Sequence, residues 1–140
     1  MRKLFRVRPL LLASLFALVG ACSDAPTGAR PCTLPGTSVP QSVIAGMTAA
    51  HIRTGLEDAA TRLAPAVAAA ADRPALDRAL ADVRTSLTTV DDAQACVALR
   101  DARLLLDRSP SRVDTMVDRE VLHFVLDIAT AFVASRAQGA

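Results

Sequence analysis

The chain is 140 residues long, 51% hydrophobic, 21% charged and only 3% aromatic, with no Trp and no Tyr. That leaves room for one modest domain and excludes both a large multidomain enzyme and a disordered tail. The formal charge of +2 depends on Arg2, Lys3, Arg6 and Arg8; without these four cations the balance is −2, so the rest of the chain lacks the basic footprint and stacking platforms of a nucleic-acid binder.

Behind the basic start and Pro9, Leu10 to Val19 form a run of ten apolar or small residues, closed by Gly20 and Ala21. A membrane span needs about 20 such residues and a signal-peptide core only about 7–15, so residues 1–21 are expected to be a cleaved export leader. Val7 separates Arg6 from Arg8, unlike the adjacent pair of the twin-arginine route. The junction Leu18-Val19-Gly20-Ala21-Cys22 resembles the lipobox of bacterial lipoproteins, an aliphatic residue and two small ones ahead of a Cys. Val19 stands where Leu is commoner and Gly20 where Ala or Ser is, and the resemblance covers the leader alone. It implies that Cys22 is diacylated through its thiol and becomes the mature N-terminus. Ser23 resembles the default outer-membrane sorting position, because inner-membrane retention usually has Asp there and Asp24 comes one place later. The resemblance thus implies a cell-envelope protein, lipid-anchored in the outer membrane and facing the periplasm, with enough acyl chains for stable anchoring. The competing reading is an ordinary leader cut after Ala21, with Cys22 a free thiol.

Three cysteines in an exported chain leave one without a partner. Acylating Cys22 leaves Cys32 and Cys96, a pair expected to close in an oxidising compartment and to stabilise by roughly 4 kcal/mol in the chain-entropy model. The alternative is that Cys96 is simply buried as a small apolar side chain. Residues 22–40, the acylated start and its tether, hold Pro26, Pro31, Pro35 and Pro40 among Gly, Ser and Thr, a composition suited to an extended spacer. A bridge at Cys32 would leave a free leash of about ten residues.

From Gln41 to the end of the chain, residues 41–140, the apolar period is that of helices, and no stretch alternates with a period of two. The expected fold class is all-α, a small antiparallel four-helix bundle. The first helix carries Ile52, Leu56, Ala59, Leu63 and Val67 on one face, with Pro65 kinking it. Pro74 opens the second, striped by Leu76, Leu80, Val83 and Leu87. Asp91 and Gln94 make an approximate capping box for the third, with Ala95, Leu99, Ala102 and Leu106 inward. Ser109-Pro110 reads as the start of the fourth, along which Val113, Val117, Val121, Phe124, Ile128 and Phe132 recur. The first and last helices, each about 28–30 residues, are expected side by side. Asp58 with Arg62, Arg73 with Asp77, Arg78 with Asp82 and Arg103 with Asp107 sit one turn apart and mark solvated faces.

The fourth helix is apolar over roughly 200°, more than one seam requires. If Val121, Phe124, Ile128 and Phe132 fill the seam, then Leu122, Val125, Ala129 and Val133 form either a second buried contact or an exposed face for a protein partner or a second copy. Glu120, His123 and Asp127 occupy the remaining strip; Glu120-x-x-His123 is half of a di-iron pattern, and Glu57 is expected at the height of His123. The second Glu-x-x-His that such a site needs is missing, His51 being the only other His, so no metal is expected. Met47 with His123 is too little for a haem, no Gly-rich phosphate loop or nucleophile elbow is present, and neither cofactor nor catalytic residues are expected. The expectation is a non-catalytic, membrane-anchored binding or scaffolding module, the alternative a small-ligand or metal carrier centred on His123 with Glu120 and Asp127.

Overall fold

The computed structural model describes residues 32, 39–110 and 112–139. The leader, Cys22 and most of the spacer expected from the sequence lie outside the described residues. What is described is an all-α helical bundle.

Pro40 precedes a single turn, α1 (Gln41–Ile44), which buries Ile44. The chain then breaks and restarts as α2 (Ala49–Asp58), so the first long helix begins later than the apolar period implies. Thr48 causes the break. Its extended backbone points the hydroxyl at the His51 N–H, 3.3 Å away, and the His51 ring nitrogen Nδ1 accepts from the Thr48 N–H at 3.3 Å. This is a capping box in which His takes the place usually held by Glu or Gln.

The expected kink at Pro65 takes the form of a π-helical turn, Ala59–Leu63, leading into α3 (Ala64–Val67). Pro65 has no N–H to give, and its ring would press on the carbonyl four residues back. Widening the turn just before it relieves that clash, and Ala64 N–H reaches Ala59 O, one residue beyond its α-helical partner. At the far end of α3, the Arg73 guanidinium donates to the otherwise orphan Pro65 carbonyl at 2.7 Å, so Arg73 serves as a cap and forms no ion pair with Asp77.

The middle helices match their sequence signals. In α4 (Arg73–Thr89), Pro74 lies in the first turn and Leu76, Leu80, Val83 and Leu87 are buried. Val90 ends it in the left-handed conformation (φ 59°), a position that favours glycine, and the Ser86 carbonyl accepts from both Val90 and Asp91. In α5 (Asp92–Arg108), the Asp91 carboxylate accepts from Gln94 N–H at 3.0 Å, while the return half of the expected capping box is missing, the Asp91 N–H donating to Ser86 O instead.

Ser109-Pro110 does not open the last helix. The Ser109 hydroxyl donates back to the Leu105 carbonyl at 3.0 Å, closing α5, and after a 3₁₀ turn at Val113–Thr115 the chain enters α6 (Met116–Gln138). Hydroxyls commonly make such backward bonds in competition with capping forward.

The α2–α3 rod packs against α4 and α6, and α5 packs against the same two helices, so the first and last long segments are neighbours. The core is aliphatic, built on Leu56, Leu76, Leu80, Leu99, Leu106, Leu122 and Leu126 with small Ala95, Ala102 and Ala129 between them. Cys32 is buried beside half-buried Cys96, bonded to it across a sequence separation of 64 with the Cα atoms 5.5 Å apart. The disulfide therefore staples the spacer to α5.

Candidate functional site: the outward face of the last helix

α6 uses three of its sides differently. Toward α5 it presents charge. Asp127 Oδ1 lies 2.6 Å from Arg103 Nη2, Arg136 Nε donates to Asp92 Oδ1 at 2.8 Å, and His123 Nε2 is 3.5 Å from Asp107 Oδ1. As residue numbers rise on one helix they fall on the other, which makes α5 and α6 antiparallel. The side chains of the first two pairs are three-quarters or more buried. Arg103 thus reaches across the seam instead of pairing with Asp107 along its own helix, as the sequence spacing implies. Of the other spacings, Asp58 and Arg62 meet at 3.4 Å, and Arg78 and Asp82 form no ion pair among the described residues. Arg119 turns the same way and donates to the Ser109 carbonyl.

Toward the bundle axis α6 buries Leu122, Leu126, Ala129, Thr130 and Val133, and the Thr130 hydroxyl donates to Leu126 O at 2.8 Å. This corrects the assignment of faces. Of the two readings of this stripe, a second buried contact or a partner face, the first holds for Leu122, Ala129 and Val133, which are in the core, and Val125 is half-buried against α2. The side expected to fill the seam points outward instead: Val113 is 92% exposed, Val117 71%, Phe124 56% and Val121 44%, with Ile128 and Phe132 half-buried. Both stripes share the same three- and four-residue steps, so period alone could not choose between them.

The outward strip runs into a shallow apolar hollow of about 150 Å³ between α2 and α6, lined by Met47, His51, Ile52, Gly55, Val125 and Ile128. Gly55 leaves room there, since a Cβ added to it would meet no atom within 4 Å. The α2 side of this hollow, like exposed Met116 at the start of the strip, was not singled out from the sequence. A glycine at mid-helix beside the Ile52 stripe is the signal that points to it.

The carboxylate–histidine constellation is dispersed. Glu120 is exposed, His123 and Asp127 are engaged with α5, and Glu57 lines a separate hollow between α2 and α4 with Arg53 and Arg84. Met47 lies in the α2–α6 hollow, away from the α5 seam that holds His123. Among the described residues no three His, Cys, Asp or Glu side chains gather to hold a metal. Among the same residues, no helix is long and apolar enough to cross a membrane.

No family model matches the chain, and neither the curated proteins nor the solved structures compared with it give a match.

Proposed function

We propose that the chain is a bacterial lipoprotein, anchored in the cell envelope through acylated Cys22, whose helical body is a non-catalytic binding or scaffolding module. In this reading its docking surface is the outward strip of α6 with the adjoining hollow. One observation carries the docking part: of the two phenylalanines in residues 22–140, Phe132 is half-buried against the core beneath Arg136, whereas Phe124 lies outside it. Phe124 stands in the open among Val117 and Val121. Contiguous exposed apolar surface is uncommon on monomers, and aromatic side chains are enriched where proteins meet. The anchor rests on Leu18 to Cys22, the outer-membrane location on Ser23 and the periplasmic side on the Cys32–Cys96 bond.

The hollow also bears on the alternative of a small-ligand carrier. Pockets for such ligands usually hold about 300–1,000 Å³. At about 150 Å³ the hollow suits a single inserted side chain, the size class of a benzene ring.

The anchor is tested by the intact mass of the protein purified from its native membrane. A chain beginning at Cys22, carrying two or three acyl groups and lacking the two hydrogens lost at Cys32–Cys96, is expected. An unacylated chain, or one still beginning at Met1, overturns the anchor. The docking surface is tested with the partner class below.

A further inference from the structure

We propose that the partner of the α6 strip is a basic amphipathic helix, an inference that rests on docking through that strip. The strip runs from Val113 in the 3₁₀ turn to Ile128; at about 2.0 Å per residue in that turn and about 1.5 Å in α6 it is about 24 Å long and accommodates about four turns of a helix laid along it. Of the cations beside it, exposed Arg112 lines a hollow with Pro65 and Arg73. Arg119 and His123 are turned toward α5, held by the Ser109 carbonyl and by Asp107. Of the α6 carboxylates, Asp127 is taken up by Arg103. Asp114 and Glu120 are exposed and Asp118 is half-exposed, and among the described residues none of the three is in an ion pair. An apolar row flanked by such carboxylates is complementary to a helix with an apolar stripe and Lys or Arg beside it. The neighbouring hollow takes one side chain from that stripe, in the manner of an interface anchor.

The same charges disfavour the other occupants. A second copy docked through the same strip would set Asp114, Asp118 and Glu120 of one chain near those of the other. A helix lying on an anionic lipid surface carries Lys or Arg on its polar flank, and here the outward flank is acidic.

The experiment uses the acylated full chain in phosphatidylcholine nanodiscs, with empty discs as blank and fluorescence anisotropy of two labelled peptides of about 18 residues, a length that covers the strip. One peptide is an amphipathic leucine–lysine helix, the other its leucine–glutamate counterpart. The lysine peptide is expected to bind on the order of tenfold more tightly than the glutamate peptide. Phe124→Asp and Val117→Asp, both at exposed positions, are expected to weaken it by a similar factor. Leu104→Asp, exposed on α5, is expected to leave binding unchanged, and Asp114→Lys with Glu120→Lys should reverse the preference between peptides. Circular dichroism reports whether each variant keeps its helix content.

Equal binding of the two peptides, or an equal loss from Leu104→Asp, overturns the proposal. Two further outcomes overturn it while leaving the docking surface standing. One is dimerisation seen by sedimentation and abolished by Phe124→Asp. The other is quenching by spin-labelled lipid of a bimane attached at Met116→Cys. If Phe124→Asp and Val117→Asp alter no association of any kind, the docking reading itself falls.

Discussion

α6 is held on its two flanks by opposite kinds of contact. Toward α5 the seam is polar: Asp92, Arg103 and Asp107 each meet a partner on α6, with the buried Arg103 Nη1 left without a hydrogen-bond partner, and Arg119 closes the end of α5 through the Ser109 carbonyl. Toward α2 the seam is apolar and incomplete, with a hollow beside Gly55. Desolvation offsets much of the attraction in buried ion pairs, so the first seam contributes more to register than to net stability. Sliding α6 by one turn would face Arg103 with His123 or Ala131 in place of Asp127. Apolar contacts are non-directional and set no comparable penalty, so a third element can be added on the α2 side without breaking a bond. One flank fixes where the helix sits, and the other leaves apolar surface uncovered.

The largest test of this contrast compares two sides of α6 by denaturant unfolding. Leu122→Ala, at a fully buried position, is expected to cost about 2–5 kcal/mol, whereas Phe124→Ala, mostly in water, should cost less than about 0.5 kcal/mol. Comparable costs would mean that the outward strip is packed after all. Next is the polar seam. Asp127→Ala strands the Arg103 guanidinium in a largely buried place and is expected to cost about 1–3 kcal/mol. Replacing both, Arg103→Met with Asp127→Leu, should recover most of that loss, since an apolar pair of similar volume removes the desolvation problem. A double variant no better than the single one would show that the pair is a net source of stability. The smallest effect is expected on the open flank. Gly55→Ala should stabilise by about 0.5–1 kcal/mol, because Gly is the poorer helix former and the new methyl enters free space. A loss of stability there would indicate that the hollow is tighter than its lining implies.

Elements whose ends carry specific chemistry were legible in the sequence. Pro74 opens α4, and Asp91 with Gln94 opens α5, because each satisfies or removes an orphan N–H in a way few other residues can. The start of α6 was not, since the Ser109 hydroxyl has a carbonyl behind it as well as an amide ahead and takes the former. Thr48 was hidden for a related reason: its capping partner is a histidine, outside the usual pattern. Arg103 has a carboxylate one turn along its own helix and another across the seam, and spacing reveals only the first. For the candidate surface, the excess apolar width of α6 could be read directly. Which stripe faces outward could not, because Val121, Phe124 and Ile128 repeat with the same period as Leu122, Leu126 and Ala129, and only the neighbours decide.

The Cys32–Cys96 bond alters the route by which force crosses the molecule. A pull on the chain ahead of residue 32 passes through sulfur directly into α5, bypassing the residues between the two cysteines. If the pull is resisted by something gripping α6, tension crosses the α5–α6 boundary while α1 to α4 stay slack. The helix pair under strain is then the one keyed together by Arg103, Asp127, Asp92 and Arg136, and stretching would be met first by shear against those charges.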